Sequence, residues 1–484
     1  MTAASHRIDT DTLRRGACPS LAAPMQTGDG LLVRLRPVAP ALTADDLLAL
    51  AGLARETGNG LIEITARGNI QLRGLTGASV PRLAQGLAAA GIVPQTGVAI
   101  ETPALSGIDP SEIADATPMA DALRAAIAAA GLTLAPKLAI VVDGGGVLSL
   151  ADMIADIRLD AIEANEGVVW RLAVGGDRET ARSVAVLAAE SAVDGTMAVV
   201  AALAAIGPAA RGRDLDVSAL AADLPFSPVG RRWPEGSDEG ACSPVGVCAP
   251  PSSRCRDLLP EGEQEAKSWF KSGLRHPIGV HHIGGHPVLG VAPAYGQVHA
   301  DRLAALIQGL SACGATEFRL APHRTLLVRG LSEEGLVAAQ GAAEREGFWC
   351  TDQAPGRSVS ICAGAAGCAS ASFDTHAAAD AVVAHAAGLL DGSVDVHISG
   401  CPKGCAHPAR AAVTLCGTAG GVGLVMNGKA SDPALATVPA EGFVPAIRRL
   451  GALLCNRRAE SETAKTLLDR TAPDTIVSAY QGHP

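Results

Sequence analysis

"GNGLIEITARGNIQLRGL" (58–75) and "GATEFRLAPHRTLLVRGL" (314–331) are two versions of one segment, set 256 residues apart. The offset holds upstream without a gap. "LTADDLLALAGLARETG" (42–58) lies on "VHADRLAALIQGLSACG" (298–314), with Ala44/Ala300, Asp45/Asp301, Leu47/Leu303, Ala49/Ala305, Leu50/Leu306 and Gly58/Gly314 identical. Pro37 falls on Pro293 and Gly28 on Gly284. A register kept together with its turn residues marks a duplication.

Each copy carries the same plan. A strand (31–36; 288–291) leads into an amphipathic helix, with Thr43 as N-cap in the first copy. Two short strands follow, "LIEIT" and "IQLRG", around the turn "ARGN". In the first of them Leu61, Glu63 and Thr65 alternate with Ile62 and Ile64, the period of a half-buried strand. A second helix (78–90; 333–346) closes a small α+β unit. A longer segment follows each unit. Between the halves, 231–270 is rich in Pro, Gly, Ser and charge and reads as a linker, with Cys242, Cys248 and Cys255 as loop cysteines rather than the alternative, metal ligands, since a fourth nearby ligand is absent.

The chain has 484 residues, 48% of them apolar and 18% charged, which is a globular composition of several domains. The net charge is −10, aromatics are scarce and no basic run occurs, so nucleic-acid binding is not expected. The N-terminal stretch has no apolar run after its charges, and the longest apolar stretch, 197–210, is short for a bilayer and contains Gly and Pro. A cytoplasmic protein without a membrane partner is expected. Its 12 cysteines then read as buried small residues plus one metal site.

That site is sought in "ICAGAAGCAS" and "SGCPKGCAHP" (399–408). Cys362 and Cys368 are separated by five small residues, Cys401 and Cys405 by three. Between the pairs, "SFDTHAAADAVVAHAAGLL" reads as a helix with Ser372 near its cap. "SVDVHIS" then alternates Val394, Val396 and Ile398 with Asp395, His397 and Ser399 as a strand. Four thiolates suit zinc or an iron–sulfur cluster. The C-x5-C…C-x3-C spacing fits a [4Fe–4S] cluster better than the C-x2-C pairs of zinc ribbons, with zinc or free buried thiols as the alternatives.

"CAGAAGC…SGCPKGCAHP", "TARGNIQLRGL", "GIDP" (107–110) and "APKLAIVVDGG" (135–145) resemble landmarks of the sirohaem nitrite and sulfite reductase superfamily, over nearly the whole chain. The resemblance implies an α+β fold of two tandem pseudo-symmetric halves. The expected divisions are a ferredoxin-like half-domain at 1–95, a larger α+β domain without a cluster at 96–230, the linker, a second half-domain at 271–350, and a cluster domain at 351–484. It also implies that Cys362, Cys368, Cys401 and Cys405 hold one [4Fe–4S] cluster.

The reductases bind their anion with two arginines and two lysines. Here Arg67 and Lys137 match one of each, but "QTGVAIETPALSGIDP" offers no second arginine and Ala139 stands in the second lysine's place. Lys403 and His407 also depart from the "CPNGCARP" version. An oxyanion would lose much of its charge-assisted hydrogen bonding. "RRGACPSLAAPMQTGDGLLVRLRP" (14–37) resembles instead the precorrin-3B synthase branch of the superfamily. That resemblance implies an O2-dependent oxidoreductase, a monooxygenase that converts precorrin-3A to precorrin-3B in cobalamin biosynthesis by C20 hydroxylation and γ-lactone closure. Its implied cofactors are the cluster, a non-haem iron and NADH-derived electrons through a separate reductase. A sirohaem-dependent nitrite or sulfite reductase is the alternative.

A carboxylate-rich tetrapyrrole on a net-negative protein calls for local positive charge. Arg67, Asn69, Gln71, Arg73 and Lys137 in the first half, and Arg319, Arg324 and Arg329 in the second, are the expected substrate-binding residues. His281, His282, His286, His323 and His407 are candidates for the iron, with no facial triad evident. "VVDGGGVLSL" lacks the third glycine of a dinucleotide fingerprint, and "GTAGGVGLVMNG" (417–428) reads as a hairpin.

Overall fold

The computed structural model describes residues 19–165, 167–223 and 276–482, the side chains of 221–223 excepted. The linker cysteines and the first residues of the 14–37 stretch lie outside them. Among the described residues there are two compact units, one of 19–95, 277–282 and 286–482, the other of 96–223, 276 and 283–285.

The first unit contains both copies of the repeat. The helix Ala44–Thr57 starts where its sequence predicts, with Thr43 and Asp46 forming a reciprocal capping box. Strands Leu61–Ile64 and Ile70–Leu75 pair antiparallel, Ile62 opposite Leu72 and Glu63 opposite Gln71. Gly68, at φ +71°, makes the intervening turn. The second copy repeats this with helix Ala300–Ala312 and strands Glu317–Ala321 and Thr325–Arg329, Phe318 opposite Val328. The closing helices are Ser79–Ala89 and Glu333–Arg345.

Neither copy keeps its core to itself. Val298 pairs with Ile62 in the first sheet, while Leu42 and Phe318 exchange backbone hydrogen bonds of 2.7 and 2.9 Å. Under the 256-residue offset Leu42 corresponds to Val298 and Ile62 to Phe318, so the two exchanges are symmetry mates. Ile62, Leu72, Leu47, Phe318, Val328 and Leu303 accordingly belong to one hydrophobic cluster drawn from both copies. The expected sequential halves are therefore interleaved here: apolar faces that each copy exposes are buried by the other.

The remaining part of this unit is the sheet Val359–Ile361, Val396–Ser399, Ala411–Thr418, Gly421–Gly428, Ala436–Val438. Its first three strands are parallel and the rest antiparallel. The expected hairpin is the Ala411–Thr418/Gly421–Gly428 pair.

The second unit has a sheet of the same order and sense: Ala99–Glu101, Ala139–Asp143, Ala155–Ala164, Gly167–Gly176, Arg182–Ala188. The offset persists, since Asp143 falls on Ser399 and both end the second strand. Where the cluster domain continues Gly400-Cys401, this one continues Gly144-Gly145. Its glycine loop is tied down by buried Asp143, which accepts from Gly145 and Leu150 N–H, and leads into a strand with no helix. The apolar stretch near 200 is part of a longer helix, Ala189–Ile206. It meets the length and composition of a membrane span, but it buries Thr196, Val199, Val200 and Leu203 and packs on the sheet.

Phe318→Ala should cost about 3–5 kcal/mol, the usual loss for an emptied aromatic core site. Denaturant unfolding of the variant should remain one transition for both copies. A biphasic curve in which only residues after 276 melt early would contradict the shared core.

Candidate functional site

The two cysteine pairs meet because of topology. Strands Val359–Ile361 and Val396–Ser399 are adjacent and parallel, with Ile361 beside Ile398, so both chains leave the sheet at the same edge. Open sheets with parallel strands form ligand crevices outside those carboxyl ends. Cys362 follows the first strand directly and Cys401 follows the second after Gly400. The loops are stitched together. Gly400 N–H donates to Cys362 Sγ (3.1 Å), Ser372 N–H donates to Gly400 O (2.9 Å), and Thr375 Oγ1 donates to Cys362 O (2.7 Å). A Cβ on Gly400 would stand 2.3 Å from that of Ala371, so glycine here answers to backbone packing.

The helix after Cys368 is Thr375–His385, and Asp374, not Ser372, caps it by accepting from His376 and Ala377 N–H. Ser372 is drawn to the Gly400 carbonyl instead.

The four thiols form one electrostatic neighbourhood. Burial raises the pKa of Cys362, opposed by the Gly400 and Gly364 N–H groups, and Cys405 and Cys401 raise it further. Burial likewise raises that of Cys401, with Lys403 N–H opposing and Cys405 and Cys368 adding. Among the described residues no three His, Cys, Asp or Glu side chains converge on a single-ion point. Thiolates of a four-iron cluster each bind a different iron and surround a core. Four cysteines gathered at one sheet edge are a donor set of the kind such a cluster takes.

The hairpin Met25–Thr27/Gly30–Leu35 reaches this loop. Ala369 N–H donates to Gly28 O (3.1 Å), and a Cβ on Gly28 would sit 2.5 Å from Cys368 Sγ. The next residue, Asp29, takes a two-pronged bond from Arg73 (Nε 3.0 Å, Nη2 2.9 Å), plus one from Asn59 Nδ2 (3.1 Å). Arg73 Nη1 lies 3.3 Å from Glu63, which also accepts from Gln71 and from Gln297 of the second copy. Burial alone would lower the Arg73 pKa, but Glu63 and Asp29, with Cys368 adding, raise it above its ordinary value. This guanidinium ties the first sheet to the cysteine loop.

The other expected substrate residues are distributed as follows. Gln71 accepts from Arg34 and Asn69 from Arg36. Arg319 and Arg329 both bind Glu317. Arg67 lies half-buried in the first turn, and Arg324 in the equivalent second turn, at φ +64°. The turns abut: His323 N–H donates to Ala66 O (2.8 Å), and a Cβ on Gly68 would meet the Ala321 backbone at 2.8 Å. Arg67, His323 and Arg324 thus share one junction. Arg324 donates to Tyr295 O (3.2 Å). Lys137 belongs to the other unit, where it is exposed before the strand that Ala139 opens.

The histidines do not assemble into a facial triad among the described residues. His281 bonds Pro277 O, His282 lies 3.0 Å from Glu333, His286 is exposed, and His407 Nε2 lies 3.3 Å from Arg410 O.

Asp29, Glu63, His397 and Cys416 were not singled out by their sequence pattern. Asp29 between two glycines in a hairpin turn, and Glu63 alternating with core isoleucines, were the available signals. Cys416 lies beside Ser399 in the sheet, near Cys401 and Cys362, and burial pushes its thiol up to about 12.

This architecture is that of the nitrite and sulfite reductases. The family model for the nitrite/sulfite reductase ferredoxin-like half domain matches residues 23–90. The solved NirA protein of Mycobacterium tuberculosis superposes with a TM-score of 0.64 at 19% identity, over 92% of this chain and 84% of that one. A Sinorhizobium sp. protein named precorrin-3B synthase is 42% identical over 97% of this chain and 95% of its own length. The chain belongs to the precorrin-3B synthase family.

Asp29→Ala should lower stability by about 1.5–3 kcal/mol, because it removes the two-pronged bond to the buried Arg73 and leaves Glu63 as the remaining carboxylate partner. Arg73→Lys should recover little, since an ammonium cannot make the two-pronged bond. Denaturation midpoints test both. A loss under 1 kcal/mol, the value of an exposed ion pair, would show that the pair is solvated.

Proposed function

We propose that the protein is a precorrin-3B synthase, an O2-dependent monooxygenase that hydroxylates precorrin-3A at C20 with closure of a γ-lactone. The identity of 42% along 97% of the chain with a protein of that name carries the reading. One oxygen atom of O2 enters the substrate. The other leaves as water, with two electrons and one proton drawn from NADH through a separate reductase and the second proton from solvent, in the cytoplasm.

Cys362, Cys368, Cys401 and Cys405 would hold a [4Fe–4S] cluster, which supplies one-electron transfer when bound. Their shared electrostatic neighbourhood at one sheet edge supports this set. The described residues do not form a two-histidine, one-carboxylate site, so no step is assigned to a non-haem iron. Arg67 and Arg324, brought to one junction, are the arginines best placed to share a carboxylate-bearing macrocycle. Arg73, Asn69, Gln71, Arg319 and Arg329 bond the side chains of Asp29, Glu63, Arg34, Arg36 and Glu317, as Arg324 bonds Tyr295 O, and would act on substrate by fixing the wall that bears it.

The alternative, a sirohaem reductase, needs a cationic anion site. Ala139 is buried at the start of its strand, and the buried side chain at the end of the preceding strand is Glu101, so neither position supplies a cation.

Each of the four Cys→Ala changes should remove the brown chromophore and the acid-labile sulfide, while Cys416→Ala should retain both. A full cluster in Cys401→Ala would displace the ligand set. Wild type supplied with precorrin-3A, reductant and heavy-isotope O2 should form a product carrying one heavy oxygen atom, and should not reduce sulfite or nitrite. Turnover of either anion would favour the reductase. Arg67→Ala should weaken precorrin-3A binding roughly ten- to a hundred-fold, the value of one charge-assisted bond, with the chromophore intact. Wild-type affinity by titration would remove Arg67 from the pocket.

A further inference from the structure

The strand Val396–Ser399 is buried on both faces, although its alternation suggests one wet face. Val396 and Ile398 join the hydrophobic core, while His397 and Ser399 point the other way, under the loop 400–407. Ser399 Oγ spends its proton on Cys401 O (2.7 Å). His397 is fully buried, and neither ring nitrogen has a hydrogen-bond partner among the described residues. Buried polar groups are rarely left so, and a native exception asks for an explanation.

The surroundings narrow it. Thr414, beside His397 in the sheet, gives its hydroxyl to Gly428 O. The His407 ring stands 5.6 Å away, centroid to centroid, with its Nε2 near Arg410 O. Against the ring also lies Gly404, at φ +59°, the residue directly before Cys405. A Cβ there would lie 3.6 Å from His397 Cε1, an ordinary packing contact, so the loop lies directly against the ring, and it is the left-handed φ that favours glycine. Burial, reinforced by His407, holds the imidazole pKa down to about 4, so the ring is neutral, with one N–H to give.

We propose that His397 is a positioning residue of the cysteine site, its ring N–H serving the Cys401–Cys405 loop and the sulfur atoms that loop carries when the cluster is bound. The inference rests on the four-cysteine reading above. Hydrogen bonds to cluster sulfur favour the more negative, reduced state and so raise the reduction potential. A merely structural histidine would be replaceable by any ring of its size without moving that potential.

The test uses the cluster-loaded protein. His397→Phe keeps the ring volume and removes both nitrogens, while His397→Gln keeps an N–H. Redox titration followed by EPR should find the Phe variant about ten-fold harder to reduce, ~59 mV lower for one electron, with the Gln variant closer to wild type. Equal potentials in wild type and the Phe variant would overturn the proposal. If the Phe variant assembles no cluster, pulsed EPR of reduced wild type labelled with heavy-nitrogen histidine decides. A histidine nitrogen coupled to the cluster spin is expected, and none would overturn the proposal. Wild type without a four-iron cluster would instead overturn the cysteine reading, and this inference with it.

Discussion

The exchange of strand pairing between the two repeats is the interaction on which the rest depends. Leu42 bonds Phe318 across the two copies, and Val298 pairs with Ile62 in the symmetry-related way. Each copy alone would leave an apolar sheet face and helix flank in water, so the duplication is stable only as a pair. The pairing also turns the polar faces of both sheets away from the shared core. It sets the turns of residues 65–69 and 321–325 tip to tip, and so gathers Arg67, His323 and Arg324 from positions far apart in the chain.

A second consequence is the buried charge on the polar face. Glu63 points away from the core because Ile62 and Ile64 point into it, and Gln297 of the other copy reaches it only because that copy's edge strand pairs beside it. Arg73 then bridges Glu63 to Asp29, and Gly28 rests on Cys368. The hairpin carrying Gly28 and Asp29 lies in the 14–37 stretch, "RRGACPSLAAPMQTGDGLLVRLRP". Geometry gives it a task, which is to brace one cysteine of the loop against the sheet.

Much of this was legible in the sequence, and the rest was not for identifiable reasons. The repeat, the Thr43 cap, the 65–69 turn and the 417–428 hairpin follow from local patterns that tertiary contacts reinforce. Interleaving was invisible, because a 256-residue offset shows that two copies exist and not which strand of one lies beside the other. Arg73 looked like a free cation for the same reason: its carboxylate partners Asp29 and Glu63 come from a hairpin turn and a neighbouring strand. The alternation of residues 394–399 marks a strand but does not reveal that the cysteine loop folds over His397 and Ser399. The equivalence of the two larger sheets survives in strand order long after the residues of their loops diverged, Gly145 standing where Cys401 stands.

We propose that this nitrite/sulfite reductase fold carries a four-iron cluster and binds a tetrapyrrole as its substrate. One anaerobic optical and EPR spectrum of the protein as purified tests that most directly. The account predicts a broad brown absorbance, a cluster signal on reduction and no intense haem bands. Strong sirohaem bands in the purified protein would contradict it.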